Sequence, residues 1–246
     1  MAVFSGINNT GTFDPGFSFS DWNSGILSAE SSFDTLASNI TASPDNYGQY
    51  SDGSYFADWY ATDTHLWFKG SLSGSSFTIK EFDLTTGSGF DIGFTGSGTL
   101  NGNTGEIGPI KASEVWIETP DGYGIDYRGS LTFDLNTGSV SGSLKTLYLI
   151  ADNGADPGDA NYLKLSGSVT MDANGNFTGG KVTAIEWGNV TFSDSDGDPT
   201  FSVAGNVTGL KIDAMALETT MANDGFDGLM ALAYSGNDTV TGACPA

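Results

Sequence analysis

Along the middle of the chain, apolar and small polar residues alternate in short runs, as in Leu131, Phe133 and Leu135, and the runs are separated by Asn, Asp and Gly. Alternation with period two marks strands that bury one face, and the intervening residues favour tight hairpin turns. The runs also repeat. Gly129-Ser130-Leu131-Thr132-Phe133-Asp134-Leu135-Asn136 aligns without gaps with Gly167-Ser168-Val169-Thr170-Met171-Asp172-Ala173-Asn174, 38 positions later. A third copy keeps Gly96-Ser97 and Thr99, and a fourth begins at Gly188-Asn189-Val190-Thr191-Phe192. Hairpin turns and a drifting period predict a β-meander rather than a solenoid.

The ends carry a different period. Phe19, Trp22, Ile26, Leu27, Phe33 and Leu36 recur mainly at three- and four-residue intervals, which predicts a helix within Phe17–Asn39 behind a short strand at Val3–Ile7. Asp213–Met221 and Gly225–Leu232 predict further helix, interrupted at Asn223-Asp224-Gly225. A half-apolar sheet needs cover, and the terminal helices are the obvious source. The expected fold is therefore α+β: a curved, mainly antiparallel β-meander with N- and C-terminal helices covering one face. Residues 1–234 are expected to form a single domain and 235–246 an irregular tail.

Charge narrows the partners. Thirty Asp and Glu against eight Lys and Arg give a formal charge of −22, which repels phosphate backbones and anionic lipid headgroups, so nucleic acid is not an expected partner. No stretch approaches the roughly 18 apolar residues of a membrane span, so membrane insertion is not expected. The single cysteine, Cys244, allows no internal disulfide. The opening Met1-Ala2-Val3-Phe4-Ser5-Gly6 has no basic, apolar signal pattern. A Gly/Asp/Asn-rich, Lys-poor composition suits export by a route that reads the C-terminus. The expected location is extracellular.

Three segments carry candidate chemistry. Asp194-Ser195-Asp196-Gly197-Asp198 places carboxylates at alternate positions of a turn, where Asp194, Asp196 and Asp198 can converge on calcium, a hard cation that takes about six to eight oxygens. Ser235-Gly236-Asn237-Asp238-Thr239-Val240-Thr241-Gly242 resembles half of a calcium-binding nonapeptide repeat. The stretch 42–63 is a long loop containing Tyr47, Tyr50, Tyr55 and Tyr60, and it leads to His65, the only histidine, among Trp59, Trp67 and Phe68. Phosphate loops, dinucleotide fingerprints and nucleophile elbows are missing, and carboxylates such as Glu106, Glu114, Glu118 and Glu186 form no recognisable catalytic spacing. A binding role is expected rather than an enzyme.

Several segments resemble the HasA-type haemophores, secreted proteins that take haem from host carriers and deliver it to an outer-membrane receptor. Phe17-Ser18-Phe19-Ser20-Asp21-Trp22 sits as that family's opening helix does, and Lys69-Gly70-Ser71-Leu72-Ser73-Gly74-Ser75-Ser76-Phe77-Thr78-Ile79 is similar to its Gly-Ser-Leu-Ser-Gly-Ser strand. Gly142-Ser143-Leu144, Phe201-Ser202-Val203 and the ending Ala243-Cys244-Pro245-Ala246 extend the likeness. The resemblance implies a haem cofactor, a haem-carrying protein and a receptor as partners, and tyrosine and histidine ligands. Where the family carries its ligand tyrosine, this chain has Phe133. His65, or one of Tyr60, Tyr55, Tyr50 and Tyr47, remains as the iron ligand. The alternatives are a calcium-stabilised adhesive or interaction module, and a glycan-binding module using Trp59, Tyr60, Trp67 and Trp116.

Overall fold

A computed structural model of the chain describes residues 3–5, 43–74, 76–101, 108–120, 122–134, 139–152, 159–192 and 199–235. The helix expected at Phe17–Asn39 and the tail beyond 235 lie outside them. The described strands are β1 (Val3–Ser5), β2 (Asn46–Gln49), β3 (Tyr55–Trp59), β4 (Thr64–Ser73), β5 (Ser76–Thr86) and β6 (Asp91–Asn101). They continue as β7 (Ile110–Glu118), β8 (Tyr123–Asp134), β9 (Ser139–Asp152), β10 (Asp159–Met171), β11 (Phe177–Phe192) and β12 (Pro199–Asp213), followed by helix α1 (Ala214–Tyr234). All belong to one sheet in the order β1-β12-β11-β10-β9-β8-β7-β6-β5-β4-β3-β2. Each strand from β2 to β11 pairs antiparallel with the next, and β1 pairs with β12, so the sheet is open with β1 and β2 at its edges.

The repeated Gly-Ser segments have a common structural place. Register shifts fall at Lys69/Gly70, Thr95/Gly96, Arg128/Gly129 and Ser166/Gly167, on β4, β6, β8 and β10. The strands between them each carry one extra residue at the same level: Lys80, Ser113, Lys145 and Thr183. A bulge bends its strand and increases the local twist. Bulges aligned across β4 to β11 bend the whole sheet along one line, dividing each strand into two legs. Glycine is required at the line because the backbones crowd there: a Cβ on Gly70, Gly96, Gly129 or Gly167 would lie 2.1–2.3 Å from a carbonyl oxygen of the neighbouring strand.

The bend closes the apolar face on itself. Phe94 lies in the first leg of β6 and Phe133 in the second leg of β8. Two strand spacings and about four residues of rise would separate them by roughly 16 Å in a flat sheet. Their ring centroids are 6.1 Å apart, and both side chains are fully buried. Leu84, Ile92, Val115 and Leu149 of the first leg share one core with Ile79, Ile110, Leu131, Val169 and Val182 of the second.

The expectation of an α+β fold with helices covering one face is overturned. The described residues form essentially an all-β structure with one helix, and α1 packs on β11 and β12 alone among the strands to any extent, through Leu217, Leu229, Met230 and Ala233. Asp213 caps α1, accepting hydrogen bonds from the amides of Met215 and Ala216, and Glu218 Oε1 accepts one from the amide of Phe177. Gly225, at φ 61° and ψ −147°, breaks the helix at the interruption that the sequence predicts. Elsewhere the sheet supplies its own cover by folding, which alternation within single strands does not reveal.

Replacing Gly129 by alanine forces a Cβ to 2.1 Å from the Ser143 carbonyl oxygen. Chemical denaturation is expected to show a loss of about 2–3 kcal/mol. Ser130→Ala, one residue on but exposed, should stay within about 0.5 kcal/mol of the parent. Equal effects would refute a steric requirement at the bend.

Candidate functional site

The two legs differ on their outer faces. The outer face of the second leg is what water ordinarily selects: Ser71, Ser97, Thr99, Lys111, Ser130, Ser168, Thr170 and Lys181 are all exposed. The first leg instead carries an unbroken cross-strand row from β3 to β12: Phe56, Trp67, Asp83, Gly93, Trp116, Asp126, Tyr148, Lys164, Glu186 and Asn206. The adjacent row on the same face runs Asn46, Asp58, His65, Thr85, Asp91, Glu118 and Gly124. Aromatic and acidic side chains occupy positions that solvent alone would fill with small polar ones.

Around Arg128 and Lys164, from β7 to β11, these groups neutralise one another. Arg128 Nη2 pairs with Asp126 Oδ2 at 2.7 Å and Glu114 Oε1 at 2.9 Å, and Lys164 Nζ lies 3.3 Å from Glu186 Oε1. Both cations sit over the Tyr148 ring, at 5.0 and 5.5 Å. The Tyr162 hydroxyl donates to Glu186 Oε1, and Tyr148 and Tyr162 form a second small core with Ile150, Ala160 and Val190.

Toward β3–β7 the acids outnumber their partners. Thr85 Oγ1 lies 3.1 Å from both Asp83 Oδ1 and Asp91 Oδ2, and Trp116 Nε1 donates to Asp91 Oδ1 at 2.9 Å. Burial, with Asp83 and Glu118 nearby, pushes the Asp91 carboxyl up to about 7. Burial also raises Asp83 and Glu118, and it raises Asp126 to about 6 despite Arg128. Asp126 Oδ1 is buried and accepts no hydrogen bond from the described residues.

At the β2–β4 edge, His65 Nδ1 lies 2.6 Å from Asp58 Oδ1, and Asn46 donates to Asp58 Oδ2 at 2.9 Å. The hydrogen bond from His65 holds the Asp58 carboxyl below its ordinary value. An ionised Asp58 accepts, so a proton belongs on Nδ1, and in the neutral imidazole the lone pair then lies on Nε2. The His65 side chain is 43% exposed. Trp67 and Lys69 follow it on the same face of β4, Phe56 lies beside Trp67 on β3, and Tyr50 packs on Phe56 with centroids 4.8 Å apart.

The tyrosines expected to act with His65 are dispersed. Tyr50 joins its face. Tyr55 points to the opposite face, stacked on Phe68 at 5.3 Å, and Tyr47, 76% exposed, shares that opposite phase in register with Ala57 and Leu66. Tyr60 sits exposed in the β3–β4 turn, and Trp59 is buried on the inner side. Phe133, which the sequence resemblance sets against a ligand tyrosine, fills the core between the legs. The expected long loop at 42–63 contains β2 and β3. Asp194, Asp196 and Asp198 lie outside the described residues, as does Glu106, and no three metal-ligating side chains converge among the described ones. Asp83, Asp91, Asp126 and Gly93 escaped the sequence reading, although Asp83, Asp91 and Asp126 occupy the polar phase of strands whose other phase is apolar. No helix among the described residues is long and apolar enough to cross a membrane. Comparison with protein-family models, curated proteins and solved structures finds no match.

A raised carboxyl makes the native state hold a proton that the unfolded chain has released. Stability therefore falls as pH rises from about 4 through about 7, the window set by Asp91 and Asp126. The melting temperature is expected to be at least about 3 °C higher at pH 5 than at pH 8. Asp91→Asn should flatten this slope and raise stability at pH 8; an unchanged slope would contradict the assignment.

Proposed function

We propose that this chain is an extracellular, non-catalytic haem-binding protein, and that haem is taken on the outer face of the first leg with His65 as the iron ligand. One observation carries the reading: His65 is half-exposed, with Nδ1 engaged by Asp58 and Nε2 available. A carboxylate behind the imidazole orients the ring and raises its basicity, which suits a ferric iron. The neighbouring groups fit a porphyrin. Trp67, Phe56 and Tyr50 offer apolar and ring contact on the same face, and Lys69, exposed on β4, is a cation for a propionate. Phe133 does not fit as a ligand position, because it is wholly interior. Haem supplies the coordination chemistry when bound, while the chain orients the imidazole and fixes its proton on Nδ1. The sequence resemblance adds a haem-carrying protein as donor and an outer-membrane receptor as acceptor.

Titration with hemin is expected to produce a shifted Soret band saturating at one equivalent. His65→Ala should abolish the shift and Tyr50→Phe should preserve it. Asp58→Asn should weaken binding by roughly tenfold or more, through loss of ring orientation. A parent protein with no spectral response, or a His65→Ala variant that responds as the parent does, would refute the proposal.

A further inference from the structure

The second feature of the outer face is the group around Trp116, three strands from the Trp67 position and made of different residues. The Trp116 ring lies over Gly93: a Cβ added to that glycine would stand 2.1 Å from Trp116 Cζ2 and 2.4 Å from Cε2. The ring is thus laid along the sheet rather than standing off it. Its Nε1–H is committed to Asp91 Oδ1, which fixes the in-plane orientation. Phe56 repeats the arrangement over Gly48, where a Cβ would stand 2.9 Å from Cε1. Trp67, Asp83, Gly93, Trp116 and Asp126 follow one another in register, so a flat ring has a carboxylate on each side along the row. Glu118 stands directly across from Asp91 in the adjacent row.

These groups are rich in acceptors and poor in donors. Among the described residues, the donors to Asp83 and Asp91 are the Thr85 hydroxyl and the Trp116 indole, whereas Arg128 already holds Asp126 through Oδ2. A ligand suited to this surface presents many hydroxyl donors around a ring whose C–H face can lie on an indole, whose own face is electronegative. It must also tolerate a chain of net charge −22, which repels anions. We infer that the β5–β7 part of the outer face, centred on Trp116 with Asp83, Asp91 and Glu118 as hydroxyl acceptors, is a binding platform for a neutral polysaccharide. The desolvated carboxyls of Asp83, Asp91 and Glu118 agree with this occupant, since hydroxyl donors stabilise them without a buried counter-charge. The second leg is an internal comparison: the same strands, carried past the bend, show Ser, Thr and Lys on their outer face and no aromatic ring there.

This inference is independent of haem binding, and the two are separated by their variants. Native gels containing galactomannan, xyloglucan or dextran as probes are expected to retard the parent protein in at least one polysaccharide. Retardation should persist in 0.5 M NaCl, because a neutral ligand is not screened. Trp116→Ala should weaken it by at least tenfold while leaving the hemin Soret response unchanged, and His65→Ala should leave retardation unchanged. Should Trp116→Ala fail to fold, Glu118→Gln and Asp83→Asn, which keep the ring and the shape, should each weaken retardation several-fold with an unaltered melting curve. Absence of retardation in every neutral polysaccharide would overturn the inference. So would retardation that survives both Trp116→Ala and the carboxyl variants, or binding confined to polycations such as polylysine and lost in salt, which would mark a cationic partner instead.

Discussion

The structure depends on one constraint: neighbouring backbones meet so closely along the line of bulges that alternate strands must place glycine there. Gly70, Gly96, Gly129 and Gly167 each face a carbonyl oxygen that would stand 2.1–2.3 Å from a Cβ. The intervening strands absorb the mismatch with one extra residue each, and Lys80, Ser113, Lys145 and Thr183 all turn outward to solvent. Because the bulges align, their bends add. A sheet that would otherwise leave one apolar face uncovered folds about this line and buries that face between its own legs.

Folding the sheet creates two outer faces from the same strands, and they have been put to different uses. Past the bend the outer side chains are short and polar, enough to keep a broad surface wet and to discourage association. Before the bend the row carries Trp67, Trp116 and Tyr148 among Asp83, Asp126, Lys164 and Glu186. Half of that row is electrostatically closed, with Arg128 and Lys164 holding their acids and covering Tyr148. The other half is open: its carboxyls are raised by burial and by one another, and it carries the Asp58-backed imidazole and the indole laid over Gly93. Stability is spent here in the sense of like charges held on adjacent strands, an arrangement that costs free energy unless a ligand or proton relieves it.

Much of this was legible in particular residues. The gapless match of Gly129-Ser130-Leu131 with Gly167-Ser168-Val169 revealed the repeat, and each copy proves to start at the bend and enter the second leg with an inward Leu131 or Val169. The helix interruption at Gly225 was readable because glycine adopts a backbone conformation that other residues avoid. His65 stood out as the lone histidine. Its partner Asp58 did not, since seven positions of sequence give no hint that β3 and β4 pair at that register. The tyrosines illustrate the opposite error. Tyr47, Tyr50, Tyr55 and Tyr60 form a cluster in sequence, but two of them point to the other side of the sheet, because a one-residue difference in a strand reverses the face.

What the sequence by itself determined was local: alternation, turn chemistry, the Gly-Ser repeat and an acidic surface all follow from properties of single residues and their near neighbours. What only the tertiary structure decided was register. Cross-strand alignment placed the glycines on one line and so made the sheet its own cover, displacing the helices from the role alternation had assigned them. The same register put Phe133 in the interior, brought Asp58 to His65, and laid Trp116 over Gly93 among carboxyls drawn from three other strands. These pairings join residues from seven to more than thirty positions apart, and they are set by how whole strands fit against each other, which no local pattern encodes.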